Sequence, residues 1–378
     1  MQTRKRELCV KRSLMPTPSN LPPLARALHF ASRLGIRVPI LLAPMSGSCP
    51  PSLSAAVANA GGFGACGALM MTPDDILAWS REFRSKSEGH FQLNLWIPDP
   101  SPVRNMDLEK LQREFLANWG PPVPADAGDI PLRDFDAQCQ AMLEAAPKVV
   151  SSIMGLYEPK FVSELKARRI MWFATATTVA EAEAAEAAGA DAVVAQGIEA
   201  GGHRGAFHAD EAEQRSVGLM ALLPQVVDAV KVPVIATGGI ADARGVAAAL
   251  LLGASAVQIG TGFLRTPEAM MPASYADRLA RTEAHETVLT RAFSGRPGRG
   301  VANAYVLAAR NGPTPAPYPI QRALTSRMRD AAKKAADAER MQMWAGQSAK
   351  LARCEPAGEI VRQLWDGLLR LMKEAANV

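Results

Sequence analysis

Short apolar runs recur along the chain, each closing on a small or polar residue and each followed by a longer Ala-rich or amphipathic stretch, the pattern of strands alternating with helices. The clearest runs lie at 38–44 (VPILLAP), 91–97 (FQLNLWI), 170–175 (IMWFAT), 190–196 (ADAVVAQ), 232–237 (VPVIAT) and 256–259 (AVQI), with weaker ones at 62–66 and 149–154. Such alternation builds a parallel sheet. Helix boundaries are readable between the runs. Thr72-Pro73-Asp74-Asp75 is a cap followed by Pro and two acids, as the helix dipole favours. Residues 181–188 are almost pure helix formers ended by Gly189, and 242–252 repeat the design up to Gly253. Neither a GxGxxG after the first strand nor an acid roughly twenty residues later is present, so the eight units predict a closed barrel over an open doubly wound sheet. The expected fold is α/β, a (β/α)8 barrel with a smaller helical insertion and C-terminal domain.

Two segments exceed one strand-helix repeat. Residues 98–131 are Pro-rich and carry a helix-like stretch at 108–119; residues 267–378 are mostly helical, with a Pro-rich break at 312–319. Insertions after strands lie at the C-terminal face of a barrel, where they can cover a ligand. They read as lid or dimer-contact elements, or as packing appendages. The expected division is a basic leader over 1–20, a barrel over 21–266, and a C-terminal segment over 267–378 packing on the barrel mouth. Apolar positions at 331–336 and 360–372 serve either this chain or a second copy, a homodimer.

Composition narrows the function. Of 378 residues 48% are hydrophobic and 21% charged, which suits a large core and excludes global disorder. The formal charge of +5 is modest and is concentrated in part at Arg4-Lys5-Arg6 and Lys11-Arg12, a solvated leader, with Met15 an alternative start. No basic stripe interleaves with aromatics, so no nucleic-acid partner is expected. The five cysteines (Cys9, Cys49, Cys66, Cys139, Cys354) are scattered without a CxxC pair, which argues against a disulfide framework or zinc site and for a reducing compartment. No stretch approaches the roughly eighteen apolar residues of a membrane span, and no signal-peptide core is evident. A soluble cytoplasmic protein is expected.

Candidate chemistry gathers at strand ends. Ala236-Thr237-Gly238-Gly239-Ile240 follows the seventh strand, and Gln258-Ile259-Gly260-Thr261-Gly262 follows the eighth. Their glycines let backbone N–H groups approach an anion, and adjacent turns here form the phosphate site of such barrels. Ala43-Pro44-Met45-Ser46-Gly47 offers small residues against which a flat ring can lie. Asn94 ends the apolar part of the third strand with an amide that both donates and accepts, as the pyrimidine edge of a flavin requires, and Thr175 holds a comparable post on the fifth. Each alone is an ordinary strand end; their convergence on one mouth makes them candidate cofactor contacts. After the sixth strand, residues 197–205 pack four glycines around His203, together with Glu199 and Arg204. Such a frame puts the imidazole at the mouth, where it can accept a proton or hydrogen-bond a substrate oxygen. His29, His90, His208 and His285 lack it and read as structural or rim-exposed. His203 and His208 are not at ligand spacing, so no metal is expected, and no GxSxG elbow is present.

The strings PILLAPM (39–45), QGIEAGGHRGAF (196–207), ATGGIADARGVAAALLLGASAVQIGTGFL (236–264), FSGRPGRGVAN (293–303) and WAGQSAKL (344–351) resemble the nitronate monooxygenase family, and the EAGGHRG loop resembles the first of its classes. The resemblance implies a barrel with a smaller helical domain, non-covalent FMN and no metal. It puts Ala43, Pro44 and Met45 against the flavin ring, Asn94 at its polar edge and Gly202 near the ring. Gly238, Gly239, Gly260 and Thr261 then meet the phosphate, Gln258 belongs to the same turn, and His203 matches the active-site histidine. Gly262 is a departure, standing where relatives often carry Arg.

The implied reaction is oxidation of an alkyl nitronate by dioxygen to a carbonyl compound and nitrite, the nitronate being an electron-rich carbanion equivalent that can reduce FMN. The class suggests propionate 3-nitronate as substrate and detoxification as the role, with His203 orienting the nitronate or acting as base toward a neutral nitroalkane. Arg204 and Arg299 are candidates to meet a substrate carboxylate, with surface roles as the alternative. The rival enzyme is a flavin-dependent, NAD(P)H-consuming enoyl-acyl-carrier-protein reductase; the non-enzymatic rival is an FMN-binding protein, against which the His203 loop argues. Inosinate-dehydrogenase-like barrels carry a cysteine in the loop after the sixth strand, where this chain has none.

Overall fold

The computed structural model describes residues 22–129 and 133–376. The basic leader with Cys9 and Met15, and the end of the expected insertion at 130–131, lie outside the described residues. In chain order the strands are β1 (Ile40–Leu42), β2 (Gly64–Gly67), β3 (Phe91–Trp96), β4 (Val149–Ile153), β5 (Met171–Ala176), β6 (Ala192–Gln196), β7 (Gly202–His203), β8 (Val234–Thr237), β9 (Ala256–Ile259), β10 (Thr287–Thr290) and β11 (Gly298–Val301). Eight form one parallel sheet in the order β1-β9-β8-β6-β5-β4-β3-β2, and a parallel bridge between Leu41 and Phe63 brings its two ends together. This is the (β/α)8 barrel that the eight apolar runs predict.

The runs read as apolar throughout because both faces of each strand are buried. Leu42, Leu93, Val150, Trp172, Val193 and Val257 pack toward the helices. Their alternate neighbours Leu41, Val149, Phe173, Val194, Ile235 and Ala256 pack inside the barrel. Phe30 and Leu34 of helix Pro23–Leu34 join that interior cluster, Phe30 lying 6.0 Å from Phe173 between ring centres. The helix thus stops the N-terminal end. Two residues further along the strands the inward side chains turn polar: Ser151, Thr175, Gln196, Thr237 and Gln258, with Asn94 on β3, all buried. One end is an apolar floor and the other a polar ring.

The connecting helices follow their end signals. Thr72 and Asp75 form a reciprocal capping box on helix Pro73–Lys86. Gly189 and Gly253, at φ of 95° and 109°, turn the chain out of helices Val179–Ala187 and Ala243–Leu251.

Two features differ from the sequence reading. The C-terminal segment contributes β10 and β11, which join β7 in a three-stranded antiparallel sheet of order β10-β11-β7. Two residues of β7 carry no periodicity to read. The segment also does not stay on the mouth. Its last helix, Ala357–Ala376, packs along the barrel wall against helices Ala243–Leu251 and Pro51–Asn59. Ile360, Val361, Leu364 and Leu368 form a helical-period stripe that enters the main core, so this face is covered by its own chain. The rest of the segment does meet the insertion above the mouth, where Leu116 packs with Phe293, Tyr305, Ile320 and Met328. Among the described residues, no helix is long and apolar enough to cross a membrane.

Candidate active site

The polar ring opens into a cavity of about 1000 Å³, at the upper end of small-molecule sites. The cofactor residues expected from the sequence, Ala43, Pro44, Met45, Asn94, Thr175, Gly202, Gly238, Gly239, Gln258, Gly260 and Thr261, all line it, as does His203. The ring is wired by its own side chains. Asn94 donates to Ser151 Oγ at 3.0 Å, Gln92 Nε2 to Gln258 Oε1 at 2.9 Å, and Thr237 Oγ1 to the Gln258 carbonyl at 2.8 Å. These bonds fix which way each amide points.

At the two glycine turns the backbone is exposed to the cavity. Gly238 and Gly239 hold φ of 113° and 72°, values that favour glycine. Among the described residues the amides of Gly239, Gly260 and Thr261 donate to no backbone carbonyl, which leaves a cradle of N–H groups suited to an anion. Opposite, Gly202 has φ of 78°, and a Cβ there would meet no atom within 4 Å. The open space beside Ala43, Pro44, Met45 and Gly202 admits a flat ring, and the donors at the turns suit a phosphate. No cluster of His, Cys, Asp and Glu among the described residues could hold a metal ion.

His203 is held from several sides. Its backbone pairs with Gly298 in the β7–β11 ladder, and its carbonyl accepts from Gln196 Nε2 at 3.1 Å. Its Nε2 lies 2.8 Å from Ser294 Oγ. Trp96 and Trp344 meet the imidazole edge-on, with ring centres 4.5 and 4.8 Å away. Removal from water by this wall, reinforced by the charges of Arg296 and Arg322, pushes the imidazole pKa down to about 3. His203 is therefore neutral across the physiological range.

The other polar members of the histidine loop serve the scaffold. The Glu199 carboxylate accepts from the Leu219 amide at 2.9 and 3.0 Å, at the start of helix Leu219–Ala229. Arg204 is buried and donates to the carbonyls of Gly197 and Gln196 at 2.6 and 3.2 Å. Arg299, also buried, donates to Ile198 and Thr287 carbonyls at 2.8 and 2.9 Å. Neither arginine lines the cavity, so neither the carboxylate role nor the surface alternative expected for them holds. Their guanidinium groups satisfy loop carbonyls that would otherwise be buried without partners.

A sequence model of the nitronate monooxygenase family matches residues 29–367. A nitronate monooxygenase of Paraburkholderia phytofirmans is 40% identical, over 88% of this chain and 92% of that protein. The chain belongs to the nitronate monooxygenase family. Among solved structures, a nitroalkane oxidase from Streptomyces ansochromogenes superposes with a TM-score of 0.84 at 36% identity, covering 92% of this chain and 99% of that one. FabK from Thermotoga maritima is more distant, with a TM-score of 0.73 at 29% identity and coverage of 92% and 98%. This family member is thus an oxidoreductase built on the barrel. Sequence reasoning missed the immediate surroundings of its histidine. Trp96 lies next to the end of an apolar run and was legible only as part of a strand. Ser294 and Trp344 lie inside the FSGRPGRG and WAGQSAKL strings but have no local signal of contact with His203. Arg322, which also lines the cavity, had none at all.

Proposed function

We propose that this chain oxidises alkyl nitronates with dioxygen to a carbonyl compound and nitrite, with FMN as cofactor, propionate 3-nitronate as substrate and detoxification as its role. In this reading Ala43, Pro44, Met45 and Gly202 hold the flavin ring, and Asn94 and Thr175 meet its polar edge. Gly238, Gly239, Gly260 and Thr261, with Gln258 in the same turn, hold the phosphate. FMN, when bound, supplies the acceptor for the electrons that leave the nitronate. The barrel carries the cofactor, and the insertion after β3 together with the part of the C-terminal segment that precedes helix Ala357–Ala376 closes the substrate side.

The observation that carries the proposal is a neutral His203, fixed against Ser294 between two tryptophans at the cavity wall. The Ser294 hydroxyl has one proton and two acceptors in reach, the Arg296 carbonyl at 3.1 Å and His203 Nε2. When the proton goes to the carbonyl, Nε2 donates to Ser294 and Nδ1 keeps a lone pair that can take a proton from a nitroalkane carbon. When it goes to Nε2, Nδ1 carries the hydrogen and donates to a nitronate oxygen. A nitronate requires only the second arrangement. Trp96 and Trp344 cover the imidazole on two sides in either state.

The test is to mix the yellow protein with propionate 3-nitronate in air, without NAD(P)H, and follow oxygen uptake and nitrite beside a His203→Asn variant. Nitrite release that the variant largely loses supports the proposal. The structural likeness to FabK keeps a second reading, reduction of an enoyl thioester by NAD(P)H. Turnover that appears only when both of those are added would replace the first reading with the second.

A further inference from the structure

The cations above the cavity differ in how they are partnered. Arg296 pairs with Asp99 and donates to the Ala206 carbonyl at 2.7 Å. Arg329 donates to Thr325 Oγ1, Gln342 Oε1 and the Arg322 carbonyl at 3.2, 3.1 and 2.8 Å. Arg322 itself lines the same cavity as His203, and its guanidinium has no hydrogen bond or ion pair among the described residues. Its place on the backbone is held firmly. Its neighbours in and after helix Ile320–Leu324 are clamped, Gln321 Nε2 on the Ala292 carbonyl at 2.9 Å and Thr325 Oγ1 on that of Phe293 at 2.7 Å. Its charge reaches both His203 and Tyr318. The acids nearby do not compensate it: Asp99 is engaged by Arg296, and Asp330 is exposed.

We propose that Arg322 is a specificity-determining residue that binds the carboxylate of a short nitronate whose reacting end lies at His203. This rests on the nitronate reading above. A half-buried guanidinium without a partner has lost part of its hydration, and a planar carboxylate matches its fork of donors. No bond is made or broken at Arg322; it acts through binding alone.

The test compares kcat/KM for propionate 3-nitronate with that for ethyl nitronate, which has no charged tail, in the holoenzyme and in Arg322→Met and Arg322→Lys. The ratio of the two values is expected to fall roughly 10- to 100-fold in Arg322→Met, the loss of one charge-assisted hydrogen-bonded pair, and to recover in part in Arg322→Lys. FMN content after gel filtration should match the wild type in both variants. An unchanged ratio overturns the proposal, and loss of FMN overturns it by assigning Arg322 to the cofactor phosphate. If the wild type turns over neither nitronate, the nitronate reading itself has failed; if it turns over both and the ratio ignores Arg322, only this inference has.

Discussion

At the N-terminal end of the barrel Phe30, Phe63 and Phe173 fill the interior with Val149, Val194 and Ile235. Two residues along the same strands, Thr175, Gln196, Thr237 and Gln258 line a cavity of about 1000 Å³. The floor receives its neighbours from adjacent strands and one helix, so every van der Waals partner is built in. The mouth receives its own from far along the chain: Ser294 reaches His203 across 91 residues. Strand geometry can finish a floor by itself, whereas a mouth needs later segments to complete it. Changes at the floor should therefore appear as stability, and changes at the mouth as turnover.

The sharpest way to break this contrast is His203→Asn. Its kcat/KM on a nitronate should fall ~10²- to 10⁴-fold, the range for a general acid–base group, with little change in the melting temperature because the β7–β11 ladder is backbone-made. A stability loss matching a floor mutation would erase the distinction. Phe173→Ala is the converse, expected to lower unfolding free energy by about 3–5 kcal/mol through cavity formation, measured by urea denaturation, while nitrite release per folded molecule holds. A smaller effect is expected for Ser294→Ala. Losing one hydrogen bond of about 1 kcal/mol should cost roughly 5-fold in kcat/KM, and Ser294→Thr should restore it.

A separate effect is expected in pH dependence. His203 has a folded pKa pushed down to about 3 from an ordinary 6.5, so the unfolded chain binds the extra proton first. The stability that depends on its neutral form is complete above pH 6.5 and is lost as pH falls toward 3. Thermal melts of wild type and His203→Asn, nearly equal at pH 7, should therefore separate as the pH drops toward 4, the wild type falling below the variant. Parallel curves would show that the tryptophan wall does not desolvate this imidazole.

Several of these features were legible before folding. The glycines at 238, 239 and 260 mark places where backbone must approach something, and four glycines around His203 set it apart from the other histidines. Trp96 was visible only as an apolar residue near the end of a strand, since nothing local tells a strand-end tryptophan in a helix layer from one against an imidazole. Arg204 and Arg299 read as surface cations or substrate contacts because a charge is normally solvated; their carbonyl partners come from loops and a strand whose proximity the chain does not announce. Arg322 sits in the mostly helical C-terminal segment, where no local signal sets it apart.

The sequence by itself determined the barrel, its eight strands and the residues at their carboxyl ends, because apolar runs, caps and glycine turns act through neighbours a few residues away. It also determined the identity of the central histidine. Only the tertiary structure decided what surrounds that histidine, namely Ser294, Trp96 and Trp344. Those contacts are long-range, and their energy exists only once a two-residue strand pairs with one that lies far downstream.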